Sequence, residues 1–386
     1  MKSKYIQRLI FKDWFPLIIV FLTVATLSFI IYLSNLDFYE NSYNAQGSQM
    51  LVISMTIPFT LLAFIMPLFV YNYKFSLRSS DTFYQLPFKE KEMRNLRVVA
   101  GLIAIVSSLI ICFLIGFVFF TIRYYTAPDM VERTIYRYVG DEFFGTGEYI
   151  KETYNFTKFP YHPGMFVLIL LVAVVGIALE YFVSCFLVSL TNKPFTAILF
   201  NGSIQLFLLL IIPSIFLMIE HFSDTPNDFG QCQLYALILA PGLMFANGLP
   251  SYLSASFIMN NQPVLGSLEG LTSFVFATSI SLAVIIGAVA VFLVFYMKEP
   301  SGEHSGNYGL NKATYNFAIY LSAIPVVLLL ASLDGKNLSL YLFLDAVIVA
   351  GYYFLNTMFL GTFKIKKYHY FIIGGLATIL IIAYFI

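Results

Sequence analysis

Charge is scarce in this chain. Asp, Glu, Lys and Arg make up 11% of it, against about 25% in an average soluble domain. Such a composition cannot cover a protein surface in water. Net charge is +1, so nothing marks a nucleic-acid partner. Cysteine occurs three times, as Cys112, Cys185 and Cys232. Their spacing fits neither a disulfide framework nor a zinc site. The histidines His162, His221, His304 and His369 fall in loops or at the ends of apolar runs. None stands three or four residues from a carboxylate inside such a run, which excludes intramembrane metalloprotease chemistry. No G-x-S-x-G occurs, and no catalytic constellation is present. The phosphate-binding pattern G-x-x-x-x-G-K-[ST] is also absent. Gly335-Lys336 is followed by Asn337, so this chain has no loop to cradle a nucleotide.

Apolar residues are abundant, at 59% of the chain. Several runs exceed the roughly 18 residues that mark a membrane span. The fold class expected is all-α, a polytopic helical membrane protein of about nine spans. The spans fall near 14–34, 51–73, 97–123, 164–190, 195–219, 270–297, 316–333, 340–362 and 369–386. The basic, then apolar N-terminus resembles a signal peptide only superficially. No small-residue cleavage site follows it, so it reads as a retained first span.

Lys and Arg positions orient the chain. Lys2, Lys4, Arg8 and Lys12 precede the first span and place the N-terminus in the cytoplasm. The loop 35–50 has no Lys or Arg and belongs outside. The loop 74–97 carries Lys74, Arg78, Lys89, Lys91, Arg94 and Arg97 and belongs inside. The long loop 124–163 is then outside, as a cap rich in Tyr and Phe, and the turn "TNKP" is inside. Between Lys193 and Lys298 there is no Lys or Arg at all. Within this stretch, 220–269 is apolar but broken by Pro241, Gly242, Gly248, Pro250 and Pro263. It reads as an outward-facing re-entrant segment, since irregular backbone at membrane depth must be covered by protein or water. A true span there is the alternative, and it would flip every later loop.

The segment "SLRSSDTFYQLPFKEKEMRNLR" (76–97) is compact and charged between two apolar runs. Ser79 and Ser80 are good helix N-caps, and Asp81 suits a first turn. Pro87 ends the helix near Gln85 or Leu86. Phe83, Tyr84 and Leu86 form an apolar patch. A second amphipathic piece, 88–97, runs into the third span. Two readings stand: an interfacial helix on an anionic leaflet, or a docking knob for a soluble partner.

The pattern "RSSDTFYQLPFKEKEMRNLRVVAG" resembles the loop between the second and third spans in permeases of the ABC type-2 exporter superfamily. "YMKEPSGEHSGNYGL" (296–310) and "SLTNKPFTAILFNG" are similar to two further segments of those permeases. The resemblance covers roughly residues 1–310. It implies a six-span permease core over 1–298; the cytoplasmic linker and about three additional spans read over 299–386 depart from the simplest six-span pattern. It implies that Ser80, Asp81, Phe83, Tyr84, Leu86 and Pro87 form a coupling helix seated in a cleft of an ATPase. The partners implied are a separate ABC ATPase holding ATP and Mg, a second permease as homodimer or heterodimer, and membrane lipids. The location implied is the bacterial cytoplasmic membrane. The function implied is export of a hydrophobic or amphipathic substrate such as a peptide, lipid or antimicrobial. A secondary transporter, or a non-transporting sensor subunit, are the alternatives.

Few charges lie inside the apolar runs. Glu180 sits well within "LILLVAVVGIALEYFVSCFLV". An ionisable residue at that depth marks a functional site by default. It reads either as part of a substrate path or as an acid hydrogen-bonded to a neighbouring helix. Glu220 and Asp345 fall near the outer interface as a solvated rim.

Overall fold

A computed structural model describes residues 8, 13–35, 44–75, 90–139, 148–157, 164–191, 193–205, 207 and 271–296, with isolated helical positions at 371, 374, 375 and 378. Six helices and one hairpin make up these residues. They are α1 (Phe15–Asn35), α2 (Asn44–Val70), α3 (Glu90–Thr126), β1 (Met130–Val139), β2 (Glu148–Thr157), α4 (Gly164–Ser189), α5 (194–205) and α6 (Leu271–Tyr296). A single 3-10 turn, Asn72–Lys74, closes α2. Four helices, α1 to α4, are long and apolar enough to cross a membrane, which fits a helical membrane protein. The expected segments at 76–89, 220–269, 316–333 and 340–362 lie outside the described residues, as does most of 369–386.

The helices alternate in direction. α2 packs against α1, α3 and α4, and α4 packs in turn against α3 and α6. Phe59, Leu62, Met66, Phe29, Leu109 and Ile177 fill the space between them, each essentially inaccessible. Outward faces stay apolar: Val24 and Ile31 on α1, Leu114 and Ile122 on α3, and Ile285 and Phe292 on α6 are all exposed. Bands of that kind suit lipid rather than water.

Two local devices permit this packing. Pro58 lies inside α2 and has no N–H for the carbonyl of Ser54 one turn earlier. Ser28 Oγ of α1 lies 3.1 Å from that carbonyl and shares its one proton between it and the carbonyls of Val24 and Ala25 in its own helix. Gly101 of α3 leaves the room in which the Tyr181 hydroxyl of α4 lies. That hydroxyl donates to the carbonyl of Val98 at 2.8 Å.

Among the described residues the all-α expectation is departed from at one place. The loop between α3 and α4 carries an antiparallel hairpin, in register from Met130 opposite Thr157 to Val139 opposite Glu148. "MVERTIYRYV" and "EYIKETYNFT" are rich in β-branched and aromatic residues, the composition that favours a pleated surface. The third span also begins earlier than expected. α3 opens at Glu90 and runs 37 residues, so the amphipathic piece from Glu90 onward and the span are one helix.

Candidate functional site

Two constellations stand out. The first gathers where α2 ends and α3 begins. The last carbonyls of a helix lack intrahelical partners and carry its negative pole. Three basic side chains meet three such helix ends. Lys74 Nζ donates to the carbonyl of Ser189, the last residue of α4, at 3.1 Å. Arg94 Nη2 donates to Phe295, next to the end of α6, at 3.3 Å. Arg97 Nη2 donates to Phe69, next to the end of α2, at 3.3 Å.

Aromatic faces complete the sockets. Lys74 lies 5.3 Å from the Tyr71 ring centre, Lys91 as far from Tyr296, and Arg97 as far from Tyr73. Lys74 is 1% exposed and Arg94 5%. A cation so deep needs both carbonyl and π-face contacts to offset lost hydration. The residues flanking 76–89 on both sides are therefore strapped to the ends of three helices.

The second constellation lies between α4 and α5, which run antiparallel. Glu180 and Ser184 face Gln205 and Asn201, and all four are buried. Ser184 Oγ donates to Glu180 Oε1 at 3.0 Å. Gln205 Nε2 reaches Glu180 Oε1, Ser184 Oγ and Asn201 Oδ1. Asn201 Nδ2 donates to Ser184 Oγ at 3.2 Å.

Of the residues singled out in the sequence, Glu180 belongs to this second constellation. Ser80, Asp81, Phe83, Tyr84, Leu86 and Pro87 lie outside the described residues. Sequence reasoning missed Ser184, Asn201 and Gln205. The signal available was their four-residue spacing, Glu180 to Ser184 and Asn201 to Gln205, which puts each pair on one helix face. It treated Lys74, Arg94 and Arg97 as orienting charges and did not foresee their capping. Among the described residues no three His, Cys, Asp or Glu side chains gather as for a metal. No family model, curated protein or solved structure matches the chain.

Proposed function

We propose that this chain is the membrane subunit of an ATP-driven exporter, energised by a separate ATPase that carries the ATP and Mg. It sits in a bacterial cytoplasmic membrane with its N-terminus in the cytoplasm and pairs with a second permease, identical or not. The observation that supports this reading is the strapping of the 76–89 flanks. Lys74 ties one flank to α4, and Arg94 and Arg97 tie the other to α6 and α2. A push on the intervening segment is thereby delivered to four helices at once. In this reading Phe83, Tyr84 and Leu86 fill the ATPase cleft, with Ser80, Asp81 and Pro87 shaping the helix that carries them. The substrate is hydrophobic or amphipathic and moves along the permease–permease interface.

A second reading, secondary transport, draws on Glu180, because midplane ionisable groups mark ion pathways in that class.

The test is co-purification of the chain with its native ATPase. Alanine at a buried anchor costs about 2 kcal/mol, roughly thirtyfold in affinity. Phe83→Ala combined with Leu86→Ala is expected to leave membrane expression intact, weaken ATPase recovery and abolish ATP-coupled transport. Undiminished recovery and intact coupling would reduce the segment to an interfacial helix. Transport that persists without any ATPase would favour the second reading.

A further inference from the structure

One cation at the basic end of the bundle is held differently from its neighbours. Lys74, Arg94 and Arg97 give donors to the carbonyls of helix ends. Lys91 is exposed, and its ammonium lies 5.3 Å from the centre of the Tyr296 ring of α6. Among the described residues neither that ammonium nor the Tyr296 hydroxyl has a hydrogen-bond partner. A cation–π contact fixes where the ammonium sits but satisfies none of its three N–H groups. A charged donor over the ring and a neutral donor on the ring are therefore both unspent. An acceptor that meets both carries several oxygens and a negative charge.

An apolar track runs from this ring into the membrane. Tyr296, Phe292, Val289 and Ile285 recur at the spacing that lines one helix face, and all four are exposed. Phe292 stacks on Tyr296 with 4.8 Å between ring centres. The other face of α6 is spent on packing: Ala290 and Val294 are buried, and Gly287 meets Leu179 of α4. From Ile285 to Tyr296 the helix rises about 16 Å, close to one leaflet of a hydrocarbon layer about 30 Å thick. A donor pair at the water end and a track one leaflet long match a phospholipid, with its phosphate on the donors and an acyl chain on the track.

The donors also select among phospholipids. A zwitterionic lipid brings its own cationic group, which competes with Lys91 for the phosphate. An anionic lipid leaves that charge to Lys91. Arg94 adds a second positive charge one turn along α3, while the neighbouring carboxylate of Glu92 lies about 100° further round the helix. Basic surfaces between spans hold anionic headgroups in this way.

We propose that Lys91 and Tyr296, with Phe292, Val289 and Ile285, form a binding site for one anionic phospholipid between α3 and α6. The site requires only that α6 cross a membrane. It stands whether or not an ATPase drives the chain, so its failure leaves the exporter reading untouched.

The experiment is native mass spectrometry of the full-length purified protein in detergent, with equimolar phosphatidylglycerol and phosphatidylcholine of identical acyl chains. One phosphatidylglycerol per chain is expected to be retained, about tenfold in preference to phosphatidylcholine. Lys91→Gln should erase the preference. Tyr296→Phe keeps the ring beside Lys91 and should reduce the preference about threefold through loss of the hydroxyl. Both side chains are exposed, so neither change threatens folding. Lys193→Gln, at an exposed basic position elsewhere in the chain, should leave the preference intact. Equal retention of the two lipids, an unchanged preference in Lys91→Gln, or an equal loss in Lys91→Gln and Lys193→Gln would overturn the site. Release of the lipid by inorganic phosphate at matched ionic strength would mark a free-anion site and overturn it equally.

Discussion

At Gly101 a single hydrogen atom decides a helix contact. A methyl there would run into the Tyr181 hydroxyl, and the bond from that hydroxyl to Val98 would be lost. Gly101→Ala is expected to destabilise the protein by about 2 kcal/mol, from overpacking plus the broken hydrogen bond. Tyr181→Phe removes the clashing oxygen. Placed on top of Gly101→Ala it should recover part of the loss, although alone it costs about 1 kcal/mol. Thermal melts of both single variants and the double variant measure this coupling, and simple additivity would refute it. Neither Gly101 nor Tyr181 was legible in the sequence, because nothing local says which faces of α3 and α4 meet. Glu180 was legible, since one acid in an apolar run is conspicuous. Its partners were not: Ser184, Asn201 and Gln205 scarcely change the hydropathy of their runs, and only their pairing across helices gives them weight.

Elements were more readable than residues. The runs expected at 14–34 and 164–190 correspond to α1 (Phe15–Asn35) and α4 (Gly164–Ser189). Periodicity and hydropathy act within a helix, so they are visible in a helix's own sequence. α3 began before its expected start because no proline interrupts the chain after Pro87, and the charged residues from Glu90 to Arg97 continue the helical pattern. At 37 residues it is about 55 Å long, against about 30 Å of hydrocarbon. Its charged first turns therefore stand clear of the apolar layer, where Arg94 and Arg97 reach neighbouring helix ends. Capping predicts a local effect. Lys74→Met should speed hydrogen exchange in the last turn of α4, and Arg94→Met in the last turn of α6, each losing on the order of 1 kcal/mol of local stability. Exchange that stays unchanged at both ends would remove the capping role.

Among the described residues of the helices, Lys74, Lys91, Arg94 and Arg97 lie together at one end of the bundle. The C-termini of α2, α4 and α6 gather there around Arg97, Lys74 and Arg94, and the hairpin follows the opposite end of α3. Basic residues collect on the cytoplasmic side of membrane proteins, which sets the expected orientation. Single cysteines at Gln85 and at Thr153, an exposed hairpin position, placed in a Cys-free background, should respond oppositely to an impermeant thiol reagent on whole cells. Thr153→Cys should label and Gln85→Cys should not. The reverse pattern, or labelling of both, would invert or dissolve the topology. The charge sorting behind this expectation was plain in the sequence. The role of those charges as fasteners was not, since each grips a carbonyl far away in the chain.

That distance bears on how the protein is made. Lys74 and Ser189 are 115 residues apart, and Arg94 and Phe295 are 201 apart. Contacts of such separation close late, after the loop entropy between them has been overcome. During synthesis Arg97 follows its socket at Phe69, whereas Lys74 and Arg94 emerge long before theirs exist. Lys74 waits for its carbonyl until α4 ends, and Arg94 is seated only when α6 is complete. The fasteners thus act as a check on assembly: a chain that stops before residue 295 keeps Arg94 without the carbonyl it is built to hold.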